Sequence, residues 1–341
     1  MSRQRTVVAE VRSGPAANRY FYIPFEVEPG TTRISISFDF GVAERNFPDF
    51  GLTDPRLQPF PSASGIRGWS ANSRRRNIFV ATDDATPGYH YGPIPPGEWQ
   101  FAIGLDKIPE SGTEVTLNIE LDDRTRPVTP QPVRSQSVRK GAGWYRGDLH
   151  CHTYHSDAKG SPETLHAAAR QAGLDFLAVA DHNTTTQRRY FHPRSSPELV
   201  FVRGMEITTG EGHANVFGID EIVDFRMSGP SDAHVLAADV RRRGGLLSIN
   251  HDKPTIPWQY ELPAADCMEV WQSTWFEWNW VSLERYQQRL ATGIRLSAIG
   301  GSDYHQPEEL RPEGPFVLAR PTTVFYLEEL SEEQILKAMK A

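Results

Sequence analysis

The chemistry in this sequence is concentrated in its histidines, ten of which lie after residue 149, with His90 the exception. The densest segment is Asp148-Leu149-His150-Cys151-His152-Thr153-Tyr154-His155-Ser156-Asp157. In a strand, successive side chains point to opposite faces, so His150 and His152 project together and can hold one metal ion while Cys151 points away. Asp303 and His305 repeat the same i, i+2 spacing after the apolar run 296–300. His182 follows the run 176–180, His251 follows 246–250, and Glu206 follows 199–205. His213 comes just after Gly210-Glu211-Gly212. Any one of these could be an ordinary hydrogen-bonded polar residue. Together with Asp157 they number nine, and their recurrence at strand ends is the pattern of a metal site assembled from distant segments. Mixed imidazole and carboxylate donors suit zinc, manganese or iron better than calcium or magnesium. The lack of thiolate donors favours a catalytic over a structural site. A cluster of this kind lowers the pKa of bound water to about 7 and presents hydroxide at neutral pH, so hydrolysis is the expected chemistry.

Such residues meet only if the elements carrying them share one face. Beyond residue 143 strand-like and helix-like runs alternate. Residues 144–150, 175–180, 199–206, 213–219, 246–250, 267–271, 296–300 and 322–326 read as strands, and 162–172, 232–243 and 277–292 as helices. A last helix begins at Ser331-Glu332-Glu333-Gln334, a capping-box pattern. This alternation predicts an α/β domain with a parallel sheet closed into a barrel, whose strand ends gather the site at one mouth. Residues 6–121 differ: the short alternating runs 20–27, 33–40, 77–81, 99–105 and 114–121, broken by Glu28-Pro29-Gly30 and Pro95-Pro96-Gly97, predict an all-β, sandwich-like accessory domain over 1–121. Residues 122–143 lack periodicity and hold three closely spaced prolines, the texture of a linker. The hydrolase domain is expected over 144–341.

The motif order, His-x-His with a following Ser-Asp, then Asp-His, Glu, His, Asn-His and Asp-x-His, resembles the PHP (polymerase and histidinol phosphatase) family of metal-dependent phosphoesterases. The segments Gly147-Asp148-Leu149-His150-Cys151-His152-Thr153, Ala180-Asp181-His182-Asn183-Thr184 and Gly300-Gly301-Ser302-Asp303-Tyr304-His305 are most similar to its carbaryl-hydrolase-like (CehA/McbA) branch. The resemblance covers residues 144–341 and implies a distorted (β/α)7, TIM-like barrel with two or three divalent ions. It implies that His150, His152, Glu206 and Asp303 hold the first ion, and Asp157, His182 and His305 the second. Glu206, His213 and His251 would hold a third, with Glu206 bridging, although the interval from Glu206 to His213 is short for the family. A bridging carboxylate is physically reasonable, since it offers one oxygen to each cation and offsets their repulsion. Two ions about 3.5–4 Å apart can activate water and stabilise charge on a phosphoryl or carbonyl oxygen, so no protein nucleophile is needed.

His155, Lys159 and Lys253 adjoin these ligands in sequence and could contact an anionic substrate or protonate a leaving group; the alternative for the lysines is solvated surface charge. The aromatic segment Trp271, Trp275, Phe276, Trp278, Trp280 reads as packing at Trp271, which ends a strand. The others could line a pocket for an aromatic group, or seal the barrel or its contact with the first domain.

A net charge of −7 gives no general attraction to nucleic acid, and no apolar run approaches the ~20 residues of a membrane span. The two cysteines are too few for a disulfide framework, and the first residues lack a secretory apolar core before Arg12 and the Gly14-Pro15 break. These features predict a cytoplasmic protein acting on a small-molecule ester, its β domain packing on the barrel or mediating oligomerisation. The leading expectation is hydrolysis of a phosphate mono- or diester. A carbamate or carboxylic ester hydrolase with the same metals is the alternative, and a non-catalytic binding protein a more distant one.

Overall fold

The computed structural model describes residues 3–13, 19–43, 46–124, 138–307 and 315–340. The chain divides into two compact units, Met1–Gln131 with Arg226–Ser228, and Pro132–Phe225 with Gly229–Ala341. The Gly14-Pro15 break and residues 125–137 of the expected linker lie outside the described residues.

Among its described residues the first unit holds eight strands: β1 (Arg3–Val11), β2 (Tyr20–Val27), β3 (Arg33–Asp39), β4 (Phe50–Thr53), β5 (Ile66–Trp69), β6 (Asn77–Ala81), β7 (Gly97–Gly104) and β8 (Thr113–Asp122). They form two antiparallel sheets, ordered β1-β8-β3-β6 and β2-β7-β4-β5. Alternation is clear in β3, where Ile34, Ile36 and Phe38 are buried between polar neighbours. These residues share one core cluster with Phe50 of β4 and Trp99 and Phe101 of β7, so the two sheets bury their apolar faces together. Strands β4 and β5 are short and buried throughout, which hides the period-2 signal that identified β2, β3, β6, β7 and β8; β1 was not singled out either.

The second unit is built on an eight-stranded sheet, ordered β15-β14-β13-β12-β11-β10-β9-β16. Its strands are β9 (Arg139–Cys151), β10 (Phe176–Val179), β11 (Val200–Thr209), β12 (Gly212–Phe217), β13 (Leu246–Ile249), β14 (Cys267–Gln272), β15 (Ser297–Gly301) and β16 (Thr323–Leu330). The helices are α1 (Pro162–Gln171), α2 (Arg188–Phe191), α3 (Asp232–Arg242), α4 (Asn279–Ala291) and α5 (Glu332–Ala338). Ser161 caps α1 by accepting from Thr164 N, and Ser331 caps α5 by accepting from Gln334 N. The short strands β10 and β13 are wholly apolar or buried, as expected of strands covered on both faces.

Three features depart from the sequence expectation. First, the sheet is mixed: β9, β10 and β11 are parallel, as are β13, β14 and β15, but β11–β12, β12–β13 and β16–β9 pair antiparallel. The cause at β11–β12 is a tight hairpin, Thr209 facing Gly212 across Gly210-Glu211, which returns the chain without a crossover helix. Second, β9 starts at Arg139, inside the stretch assigned to the linker, because its first half pairs with β16; Asp122, at the other end of that stretch, closes β8. Third, Trp271 is 42% exposed, not packed inside: a register shift between Glu269 and Trp271 breaks the alternation of β14 and turns the indole outward.

The sheet nearly closes on itself where β9 meets the residues after β15. His152 N donates to Tyr304 O (2.9 Å) and Asp303 N to His150 O (2.8 Å). This approach requires glycine at 301, since a Cβ there would lie 2.4 Å from His150 Cβ and 2.7 Å from its backbone nitrogen. Closure therefore sets the His-x-His segment directly beside Asp303. No helix among the described residues is long and apolar enough to cross a membrane.

Candidate metal centre

All nine expected ligands come together at one end of this sheet. Glu206, of β11, is fully buried and central. Its Oε1 lies 3.4 Å from His150 Nε2, 3.2 Å from His213 Nδ1 and 3.2 Å from His251 Nε2. Its Oε2 lies 3.6 Å from His152 Nε2 and 2.7 Å from His182 Nδ1. Asp303 Oδ1 is 2.9 Å from His152 Nε2 and 3.4 Å from His150 Nε2. Asp157 Oδ1 stands 3.4 Å from His182 Nε2 and 3.3 Å from His305 Nε2.

The local folding explains this convergence. His150 and His152 alternate inward from the end of β9. Glu206 lies inside β11, not at its end, because the strand continues into the hairpin with β12. In that ladder His213 pairs with Thr208, so the short interval between Glu206 and His213 brings them to diagonal positions. His251 and Asp303 follow their strands at φ values of 23° and 53°, backbone conformations that side-chain-bearing residues seldom adopt. The strain is held by hydrogen bonds: His251 N donates to Glu269 Oε2 (3.1 Å) and Asp303 N to His150 O.

Among the described residues, four groups of three have donor atoms within 4.8 Å of one another: His150, His152 and Glu206; His150, His251 and Asp303; Glu206, His213 and His251; and His152, His182 and His305. The last group joins His152 to the pair expected alongside Asp157.

Whether these residues fit divalent ions is decided by their unmet bonds. His150 Nε2, Asp157 Oδ1, Glu206 Oε2 and His213 Nδ1 are buried, and although each lies close to an oppositely charged group, none makes a well-aligned hydrogen bond. Unpaired buried donors and acceptors are costly, and a coordinated cation removes the deficit. The donor set fits.

Electrostatics point the same way. Burial disfavours the His150 imidazolium, but Glu269, Glu206 and Asp303 outweigh it and raise its pKa well above the ordinary value. Burial likewise opposes ionisation of Glu206, yet His150, His182 and His213 hold its carboxyl well below the usual range. His305 is raised to about 10, since Asp157 and Asp303 overcome its burial. His152 falls to about 3 through burial and the nearby His305 and His182. Protons on some imidazoles thus balance the carboxylates where cations could.

Of the other expected residues, Lys253 is 2% exposed, which removes the surface-charge alternative for it, and its Nζ donates to Gln272 Oε1. Burial lowers its pKa, a shift opposed by Glu269, Glu277 and Asp303. His155 is half-buried, with Nδ1 2.7 Å from Thr186 Oγ1 and its ring stacked on Tyr154. Lys159 is exposed, and its backbone N–H donates to His305 O (3.0 Å).

Several supporting residues escaped the sequence reading. Glu269 Oε1 lies 2.8 Å from His150 Nδ1. Asn250 Nδ2 donates to Glu206 Oε1 (3.0 Å). Asp148 accepts from the backbones of His150, Ser302 and Ala319, and burial raises its pKa to about 6 against those bonds. Asp181 binds Thr153 and Ser156, bracing the turn after His152. Asp148 and Asp181 stood within the quoted motifs, each next to or two residues from a ligand; that adjacency was the available signal.

No family model matches the chain, and no curated protein matches it. Among solved structures, the chain is similar to a two-domain protein from Bacteroides vulgatus described as containing a PHP-like metal-dependent phosphoesterase, at 19% identity over 62% of this chain and 67% of that one, TM-score 0.43. It is similar also to a candidate metal-dependent phosphoesterase from Bifidobacterium adolescentis (17% identity, 56% and 94% covered, TM-score 0.38). A third is an amidohydrolase from Chromobacterium violaceum with bound sulfate and no metal (15% identity, 52% and 90% covered, TM-score 0.36). Likenesses this distant carry no argument about fold or activity, which rest on the chain's own residues.

Proposed function

We propose that this chain is a metal-dependent hydrolase that cleaves a phosphate mono- or diester with activated water. The observation that carries the reading is the double role of Glu206, whose two oxygens face imidazoles from both sides of the cluster. The order of the ligand motifs, which resembles the PHP family and its carbaryl-hydrolase-like branch, supports the same conclusion, as does the mixed imidazole–carboxylate donor set. His150, His152, Glu206 and Asp303 are assigned to one ion, Asp157, His182 and His305 to a second, and His213 and His251 with Glu206 to a third. Zinc, manganese or iron suits these donors.

Divalent ions bound there supply Lewis acidity and a water ionised near neutral pH. The protein supplies the rest. Glu269 holds His150 through Nδ1 so that Nε2 faces inward, and Asn250 steadies Glu206. Lys253 brings a buried positive charge to the neighbourhood of Asp303, suited to an anionic substrate oxygen. His155 and Lys159 remain candidates for substrate contact or for protonating the leaving group.

A panel of aryl phosphate monoester, diester, carbamate and acetate substrates, assayed with zinc-, manganese- and iron-loaded protein, tests this reading. Turnover of a phosphate ester that disappears in His150→Ala and Asp303→Ala is expected. Carbamate or acetate turnover without phosphate ester turnover would replace the reaction but keep the centre. Full activity in both variants would remove the centre from the mechanism.

A further inference from the structure

Gln272, the last residue of β14, is 2% exposed and is bonded through every polar atom it has. Its backbone N–H donates to Asn279 Oδ1 (2.8 Å), and its carbonyl accepts from Asn279 Nδ2 (2.8 Å). Asn279, the fully buried first residue of α4, also donates to Thr274 O, so the backbone at 272 is clamped. From this fixed base the side chain reaches Asp303, Nε2 donating to Oδ2 (2.5 Å), while Oε1 accepts from Lys253 Nζ.

We infer that Gln272 is a positioning residue that fixes the rotation of the Asp303 carboxylate and so holds one oxygen toward the metal centre, with Lys253 fixing the direction of the Gln272 amide. This rests on the metal-centre reading above and assigns a role to residues within it. The carboxylate of Asp303 has two equivalent oxygens and is free in principle to rotate between them. Binding Oδ2 from outside leaves Oδ1 toward His152 Nε2 (2.9 Å) and His150 Nε2 (3.4 Å). The amide could also turn over, since its two ends have similar shape. Lysine is a donor only, so it demands the amide oxygen and leaves the NH2 for the carboxylate. A flipped amide would face N–H against ammonium and oxygen against carboxylate. Each group in the sequence Lys253, Gln272, Asp303 thus fixes the next. Partners that orient a ligand in this way change metal affinity by about 10–100-fold when removed.

The test uses the full chain, freed of metal and titrated with cobalt(II), followed by visible absorption and by competition with a chelator; thermal unfolding of the metal-free protein is recorded in parallel. Gln272→Met keeps the side-chain length without the amide. The expected result is one class of cobalt site weakened about 10–100-fold, with an altered d–d spectrum. The metal-free unfolding temperature should stay close to that of the parent, a separation that a purely structural role would not give. Lys253→Met should cause a smaller loss in the same direction, and in the double variant it should add nothing to Gln272→Met, because the lysine acts through the amide. Parent-like affinity and spectrum in Gln272→Met would overturn the inference while leaving the centre intact, and so would parent-like values in Lys253→Met if Gln272→Met does not fold. A parent chain that binds no cobalt would overturn the reading on which the inference stands.

Discussion

Glu269 reaches two candidate ligands from different strands at once: its Oε1 lies 2.8 Å from His150 Nδ1 and its Oε2 accepts from His251 N at 3.1 Å. One buried carboxylate therefore sets both the rotation of an imidazole and the strained backbone that presents a second. Replacing it with the isosteric amide, Glu269→Gln, keeps the volume but removes the charge that stabilises His150 when it donates from Nδ1. Metal affinity should fall about 10–100-fold by chelator competition. Unchanged affinity would mean that His150 is held by packing alone.

The protonation of the metal-free cluster gives a pH dependence of known sign. Facing carboxylates raise the pKa of His150, His182 and His305, the last to about 10, so His305 carries a proton at neutral pH and the other two hold theirs more tightly than a free imidazole does. Ligation needs neutral imidazole, hence ion binding expels protons. Apparent affinity should rise with pH and level off only above about 10, the pH at which His305 is half deprotonated without a metal, provided hydroxide complexes of the ion are avoided. Calorimetric titration in buffers of different ionisation enthalpy counts the protons: release is expected, and none would show the imidazoles already neutral.

Gly301 is where the sheet is closed against His150, and it has no room for a methyl group. Gly301→Ala should destabilise the folded protein by about 1–3 kcal/mol, measured by urea unfolding, because the strand must move off His150. Gly143→Ala, with no atom within 4 Å of the added Cβ, is the control and should lie within about 0.5 kcal/mol of the parent. Equal effects would place the closure elsewhere.

Cys151 and Cys267 are fully buried, and burial raises the pKa of both thiols. The thiol of Cys151 donates to Ala178 O and points away from the ligands, as strand alternation requires. Neither should react with a disulfide reagent at neutral pH until the chain is unfolded, when two thiols should titrate. Rapid reaction of either in the native protein would contradict the packing around β9 or β14.

The ligands were legible because alternation in a strand is a local rule. His150 with His152, and Asp303 with His305, declare a shared direction from spacing alone, and the apolar runs before His182 and His251 place those residues at strand ends. What supports them was not legible. Glu269 and Gln272 lie on one strand three residues apart, where strict alternation would point them to opposite faces and send Trp271 inward with Glu269; the register shift after Glu269 reverses both. Their roles also depend on His150, Lys253 and Asp303, residues brought close only by the closed sheet. The antiparallel return at β12 did have a signal: two residues, Gly210-Glu211, between runs that pair at Thr209 and Gly212 are hairpin spacing. Read that way, the short interval from Glu206 to His213 becomes the geometry that joins them.

The most direct measurement is elemental analysis of the purified full chain, followed by titration of the chelator-treated protein with zinc, manganese and iron(II). A centre of this kind should hold two or three tightly bound divalent ions per chain, with Glu206→Gln losing more than one because that carboxylate faces several groups at once. A folded chain that carries none, and takes up none on titration, would contradict that expectation.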